Sequence, residues 1–263
     1  MTTTPLTSNG LAITRDQRVD ELRPSDGFDP AGDYERDGYA LLRGLLDRDE
    51  VLAVREAYLT RFAHGGADLP HGVAGHPAHG FVRSPMFQRF IAQPALHDVA
   101  KALLGDEPSL LPRTILRDFR AGSRRASRAH QDHSYLDRGT ERVVTAWIPL
   151  GDCSVAAGGL VYLEGSHRLT DDDLEPVRAV TDRPRDVRPL SHDLAWVADT
   201  LGRRWLAADF EAGDVVFHSP RIVHASLDST APEPRISTDV RFIPVGDDPD
   251  PRWCRPWAGN DGN

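Results

Sequence analysis

The chain is expected to fold as a mainly β domain with helices confined to its N-terminal third. Three observations predict this. Before Leu110 the apolar residues fall at helical spacing, as in Val51, Val54, Tyr58 and Phe62. After Leu110 the apolar runs are short and are bounded by turns containing Gly and Pro. The clearest run, Arg235–Phe242, alternates broadly between polar and apolar residues. Arg235 and Ser237 share one face, and Ile236, Val240 and Phe242 share the other. That pattern describes a strand with one face in a polar pocket and one in a core.

The elements follow in order. Residues 1–27 are polar and read as a loose arm laid over the domain. Asp29-Pro30 opens a short helix and Gly38 closes it. Tyr39–Arg43 reads as a strand. Asp47 then caps a longer scaffold helix, with Glu50 three residues on as in a capping box. His64–Phe81 is rich in glycine and histidine, with His71, His76 and His79 in addition to His64. It has no tight ligand pair, so it reads as a loop and a substrate lid rather than a metal site. Residues 85–104 read as two short helices interrupted at Pro94.

Leu111–Phe119 is a strand candidate, and Arg120–Arg128 is a basic loop suited to an anionic substrate group or to a solvated turn. Val143–Leu150 reads as a core strand with Thr145 and Trp147 on one face. Gly158-Gly159 and Gly165-Ser166 flank a short strand, Leu160–Leu163, as tight turns at sheet corners. Thr170–Asp209 reads as a long functional loop that covers the substrate with His192, Trp196 and Trp205. Asp250–Trp253 reads as a packed C-terminal staple.

Composition bounds the function. With 263 residues and 40% hydrophobic content, one substantial core can be buried. The net charge of −9 and pI of about 5.6 argue against nucleic acid as the main partner. Cys153 and Cys254 make neither a disulfide framework nor a zinc spacing, and read as free thiols in a reducing compartment. No run is apolar and long enough to span a membrane. The first nine residues lack the apolar stretch of a signal peptide, so a cytoplasmic location is expected. The oligomeric state is not legible.

Chemistry concentrates in two stretches. In Ala129-His130-Gln131-Asp132-His133-Ser134-Tyr135, an extended backbone would turn His130 and Asp132 to one face. A histidine far away would complete a facial triad of two imidazoles and one carboxylate, the set that suits non-haem Fe(II). The second stretch, Gly213–Ser226, offers His218 and His224. His224 is preferred, because it has the H-x-S context and Arg235 follows eleven residues later. Oxygenases with this triad need an oxidisable co-substrate, commonly 2-oxoglutarate. A planar guanidinium such as that of Arg235 suits its distal carboxylate.

These segments resemble the phytanoyl-CoA dioxygenase family of Fe(II)/2-oxoglutarate-dependent oxygenases. The residues that carry the resemblance are His130-Gln131-Asp132 with Tyr135, Thr145-Ala146-Trp147-Ile148-Pro149-Leu150, Gly158-Gly159-Leu160 and Gly165-Ser166-His167. Gly213-Asp214, His224 with Ser226, and Arg235 complete the set. The likeness spans residues 28–257, taken as one oxygenase domain, with 258–263 as a tail. It implies a double-stranded β-helix, a cupin-like jelly roll. It also implies Fe(II) on His130, Asp132 and His224, with 2-oxoglutarate and O2 as co-substrates. Arg235, Trp147, Ser226, Thr114 and Ser237 would contact 2-oxoglutarate. Tyr135, Arg117, Arg221 and Arg241 are the candidate contacts for a small-molecule substrate. The expected reaction is hydroxylation of an unactivated C–H bond, with release of succinate and CO2. The alternatives are the same chemistry on a fatty acyl-CoA, a cupin-like metal enzyme that does not use 2-oxoglutarate, and a non-catalytic binding module on the same barrel.

Overall fold

The computed structural model describes residues 5–13, 19–25, 29–62, 76–122, 125–178, 186 and 188–258. Among these residues the framework is two facing β-sheets. The larger runs β4 (Tyr39–Leu42), β10 (Val215–His218), β7 (Val144–Pro149), β12 (Arg235–Pro244) and β5 (Pro108–Leu110), with β6 (Ile115–Phe119) also on β12. The smaller runs β11 (His224–Ser226), β8 (Leu160–Leu163), β9 (Trp205–Ala207) and β3 (Val19–Glu21). A separate hairpin pairs β1 (Leu6–Ser8) with β2 (Leu11–Ile13).

Strand alternation sorts the side chains into three cores. Between the sheets lie Tyr39, Leu41, Trp147 and Val216 from the larger and Leu160, Tyr162 and Leu206 from the smaller. The opposite face of the larger sheet turns Val144, Ala146, Ile148, Ile236, Val240 and Phe242 onto helices. These are α1 (Pro30–Asp37), α2 (Arg48–Phe62), α3 (Pro77–Val82), α4 (Pro85–Ile91) and α5 (Pro94–Leu104). The outer face of the smaller sheet, with Val161, Leu163 and Ala225, packs on α6 (Asp171–Arg178) and α7 (Leu194–Leu201). Each fully buried Val, Leu or Phe in these layers contributes roughly 1.5–3 kcal/mol of transfer free energy. The inner face of the larger sheet is polar at one end, and the site lies there.

The local signals hold at several ends. Asp29 caps α1, accepting from Gly32 N–H, and Gly38 ends it in the left-handed region. Gly38 is also a close approach, because a Cβ there would strike the His167 ring. Asp47 accepts from Glu50 N–H at the start of α2.

Four expectations are corrected. The arm is not loose where it is described: β1 and β2 pair, and β3 adds in parallel to β9. The strand expected over Leu111–Phe119 forms only over β6, with β5 ending before it, and Pro112 between them has no N–H to give a ladder. In the histidine-rich stretch, His64 and His71 lie outside the described residues, whereas His76 and His79 are buried at and within α3. The long loop at 170–209 carries α6, α7 and β9. Trp205 does not cover a substrate, being fully buried in β9 with its indole N–H on Leu194 O.

Candidate metal centre

His130 and His224 are partners in an isolated antiparallel bridge and exchange both backbone hydrogen bonds at 2.9 Å. Directly opposed residues put their side chains on the same face, and the two rings lie 4.2 Å apart between centroids. The expected extended run does not reach Asp132. The chain turns into a 3₁₀ helix over Asp132–Tyr135, because Ser134 N–H bonds Gln131 O and Leu136 N–H bonds His133 O. That turn still delivers the carboxylate, whose Oδ1 is 3.8 Å from both His130 Nε2 and His224 Nε2.

The two rings are held in one tautomer. His130 Nδ1 is 2.7 Å from Arg128 O and His224 Nδ1 is 3.1 Å from Ile222 O. A carbonyl can only accept, so Nδ1 carries the proton in each and Nε2 is bare toward the site. Burial lowers the pKa of His130, and burial with the neighbouring His130 and His218 takes His224 well below its ordinary value. Both rings are therefore neutral at neutral pH, as metal ligands must be.

Asp132 has two differently occupied oxygens. Oδ2 accepts from Thr145 Oγ1 and from Arg241 Nη2, each at 2.8 Å, and faces His218 Nε2 at 3.6 Å. Oδ1 is left to the two histidines. Burial alone would raise the Asp132 carboxyl, but Arg241, His218 and His224 hold it well below the usual carboxylate range. The three holders form one cross-strand row: His218 on β10 opposes Thr145 on β7, which opposes Arg241 on β12. The sequence offers His218 only as a rival third ligand, and Thr145 only as a residue on the Trp147 face of its strand. Strand alternation marks Thr145 as inward-facing, but their common row depends on register.

Among the described residues, His130, Asp132 and His224 form the group able to hold a metal, with one ligand atom from each within 4.8 Å of the others. His218 is not a member, because it approaches the far oxygen of Asp132 and places its Nδ1 3.1 Å from the Tyr162 hydroxyl.

His130 and Asp132 line two cavities. The inner one is also walled by Trp147, Leu160, His224, Arg235 and Asp239. Arg235 is held from three sides: Nε donates to Gly158 O at 3.1 Å, Nη1 donates to Ser237 Oγ at 2.7 Å, and the guanidinium lies 4.3 Å over the Phe119 ring. Gly158 presents that carbonyl from a backbone with φ of 83°, where a Cβ would strike Leu227 O. Arg235 Nη2 is buried and carries no hydrogen bond. A buried cation with a vacant donor is costly, and the distal carboxylate of 2-oxoglutarate fits it. Burial lowers the Arg235 pKa to about 10, which still leaves it charged at neutral pH.

The outer cavity, of about 470 Å³, opens beside Tyr135, Arg117, Arg125, Arg128, Arg188 and His192. Arg188 stacks over the Tyr135 ring at 4.7 Å, and Arg117 lies 3.6 Å from Asp239.

The remaining expected contacts divide. Trp147 lines the inner cavity and also packs edge-on against Phe210 in the core. Ser237 lies behind Arg235. Ser226 Oγ accepts from Ser127 N–H and so braces the cavity wall. Thr114 is buried just before β6 and lines neither cavity. Arg241, expected to touch substrate, lines both cavities and also grips Asp132, because its strand register aims it there. Arg221 leaves the site altogether and pairs with Glu141 at the surface at 2.8 Å.

Two histidines and a carboxylate at the junction of two cavities, inside paired β-sheets, define a non-haem iron oxygenase. The chain belongs to the phytanoyl-CoA dioxygenase (PhyH) family, whose sequence model matches residues 34–237. It is 27% identical over 235 residues to 1-deoxypentalenic acid 11-beta-hydroxylase of Streptomyces exfoliatus, covering 81% of this chain and 79% of that one. It is 26% identical over 234 residues to the ectoine dioxygenase of Bordetella parapertussis, covering 79% and 72%. The non-haem α-ketoglutarate-dependent epimerase SnoN from nogalamycin biosynthesis superposes with a TM-score of 0.62 at 25% identity, covering 82% of each chain. The protein is an Fe(II)/2-oxoglutarate-dependent dioxygenase.

Proposed function

We propose that the chain hydroxylates an unactivated C–H bond of a small molecule in bacterial secondary metabolism, with release of succinate and CO2. The observation that carries this reading is the triad placed between two cavities, one ending at the vacant Nη2 of Arg235 and one opening outward. His130, Asp132 and His224 would hold the iron, and Arg235, backed by Ser237, would hold 2-oxoglutarate against the Trp147 wall. Iron, when bound, activates O2 for attack on the C–H bond.

The residues themselves orient and exclude. Thr145 and Arg241 keep Oδ2 of Asp132 engaged, so Oδ1 is the oxygen offered to the metal. The co-substrate would lie between the metal and Arg235 along the inner cavity, and the substrate would enter through the outer one. Five arginines line the outer cavity against two aspartates, in a chain of net charge −9. That concentration of positive charge supports a substrate bearing a carboxylate or similar anion. The relatives named above support small-molecule chemistry, and the double-stranded β-helix is the architecture assigned to the paired sheets. A cytoplasmic location accords with the absence, among the described residues, of any helix long and apolar enough to cross a membrane.

The test is a screen of small organic acids against Fe(II)-loaded protein, read as substrate-dependent succinate formation with mass analysis for one added oxygen. Succinate coupled to a hydroxylated product is expected. If only acyl-CoA thioesters stimulate succinate formation, the acyl-CoA reading takes over. If the anaerobic protein forms no visible Fe(II)·2-oxoglutarate charge-transfer band, the cupin-like alternative does.

A further inference from the structure

Residues 6–13 lie outside the stretch that matches the family, yet Asn9 among them touches two residues that line the outer cavity. Their hairpin turns at Asn9-Gly10, with Asn9 at φ 50°, a left-handed conformation that asparagine tolerates better than most residues. Asp228 clamps the turn. It accepts from Thr7 Oγ1 and Asn9 N–H at 2.8 Å and from Gly10 N–H at 2.7 Å. Its own N–H donates to Thr7 O at 2.7 Å. Ile13, 1% exposed, anchors the second strand in the core behind the smaller sheet.

The clamp aims the Asn9 side chain. Nδ2 donates to Ala126 O at 2.8 Å and lies 2.5 Å from His192 Nδ1. Ala126 and His192 both line the outer cavity. A carbonyl only accepts, so the Ala126 contact fixes which end of the amide is nitrogen. The second Nδ2 hydrogen then faces His192 Nδ1, which must accept it, and the His192 proton belongs on Nε2. The mouth thus joins a ring N–H donor to Arg125, Arg128 and Arg188, whose side chains only donate.

We propose that the N-terminal hairpin backs the wall of the substrate cavity and that Asn9 is a positioning residue. By holding His192 as an Nε2–H donor and pinning Ala126, it prepares the mouth for the acceptor-rich end of the substrate, a carboxylate or carbonyl. This rests on the outer cavity being the substrate site.

Two variants separate the side chain from the fold. Asn9→Gly suits the turn, since glycine adopts positive φ freely, and removes only the side-chain bonds. Asn9→Asp keeps size and turn but replaces a donor by an acceptor. In the full-length, zinc-loaded protein, ring ¹⁵N NMR should show His192 as the Nε2–H tautomer. Asn9→Gly should give a tautomer mixture, and Asn9→Asp should move the proton to Nδ1. Amide exchange over residues 126–128 should rise about fivefold in Asn9→Gly, the equivalent of one hydrogen bond. With manganese in place of zinc, octanoate should be relaxed by the metal about fivefold more than octanamide in the wild type and equally in Asn9→Asp.

An Nδ1–H His192 in the wild type would overturn the proposal, as would ring shifts and exchange unchanged in both variants. Equal relaxation of octanoate and octanamide in the wild type would remove the assignment of the substrate end. The anaerobic charge-transfer band is recorded on the same wild type and variants with Fe(II). Loss of that band in the wild type sinks the oxygenase reading alone. A normal band with an unmoved His192 sinks the hairpin's role alone.

Discussion

Replacing Arg235 with glutamine should cost the protein its 2-oxoglutarate and leave its metal. The guanidinium is fixed by Gly158 O, Ser237 and Phe119, and only Nη2 is vacant. A charge-assisted hydrogen bond contributes about 1.5–3 kcal/mol. The direct attraction of two unit charges about 4 Å apart is about 4 kcal/mol at an effective dielectric of about 20. Desolvation of the incoming carboxylate offsets part of this, so about 3 kcal/mol, or roughly 150-fold in Kd, is expected for Arg235→Gln. Arg235→Lys keeps the charge but not the planar fork, and about tenfold is expected. The assay is anaerobic titration of 2-oxoglutarate into Fe(II)-loaded protein, followed by the charge-transfer band, with metal content measured separately. The pH profile follows from the same residue. Its pKa is lowered by burial to about 10, so the cation is present below that value and co-substrate binding is lost only as pH rises through it. A Kd within threefold of wild type in metal-loaded Arg235→Gln would refute the reasoning.

The other predictions concern the metal, the thiols and one surface pair. Thr145→Val removes a 2.8 Å bond to Asp132 Oδ2 and should weaken Co(II) binding about 10- to 100-fold; an unchanged titration would remove Thr145 from the site. His224→Ala should abolish Co(II) binding whereas His218→Ala keeps it, and the reverse order would reassign the third ligand. Burial pushes the Cys153 thiol up to about 11, while Cys254 is exposed, so iodoacetamide at pH 8 should label Cys254 alone until the protein is unfolded; native labelling of both, seen by mass analysis, would contradict this. Arg48 pairs with Asp152 and lowers its pKa to about 2, so the pair's stabilisation is complete above the ordinary value of 3.8 and lost as pH falls through about 2. Both partners are about half exposed, so Arg48→Ala should leave the urea midpoint at pH 7 nearly unchanged; a clear drop in the midpoint would show that the pair is not solvent-screened.

Much of this protein is determined by its sequence alone. Helix ends at Asp29, Gly38 and Asp47 are local chemistry, decided at the two aspartates by a side chain three residues from the N–H it caps and at Gly38 by a left-handed backbone that glycine adopts freely. The alternation in Arg235–Phe242 places Arg235 and Ser237 inward because side-chain direction in a strand has period two. His130, Asp132 and His224 were legible as a set because their residue types and order are those the iron chemistry requires. The tertiary structure decided what depends on register and on distant backbone. It opposed His130 to His224, lined up His218, Thr145 and Arg241 behind Asp132, and turned Arg221 out to Glu141. It also made part of the expected loose arm into a hairpin braced against Ala126 and His192, through Asp228, more than two hundred residues away in the chain. A strand carries its own in-or-out pattern, but which residue it faces is set by its partner, so the candidate ligands could be read from the chain and the residues that hold them could not.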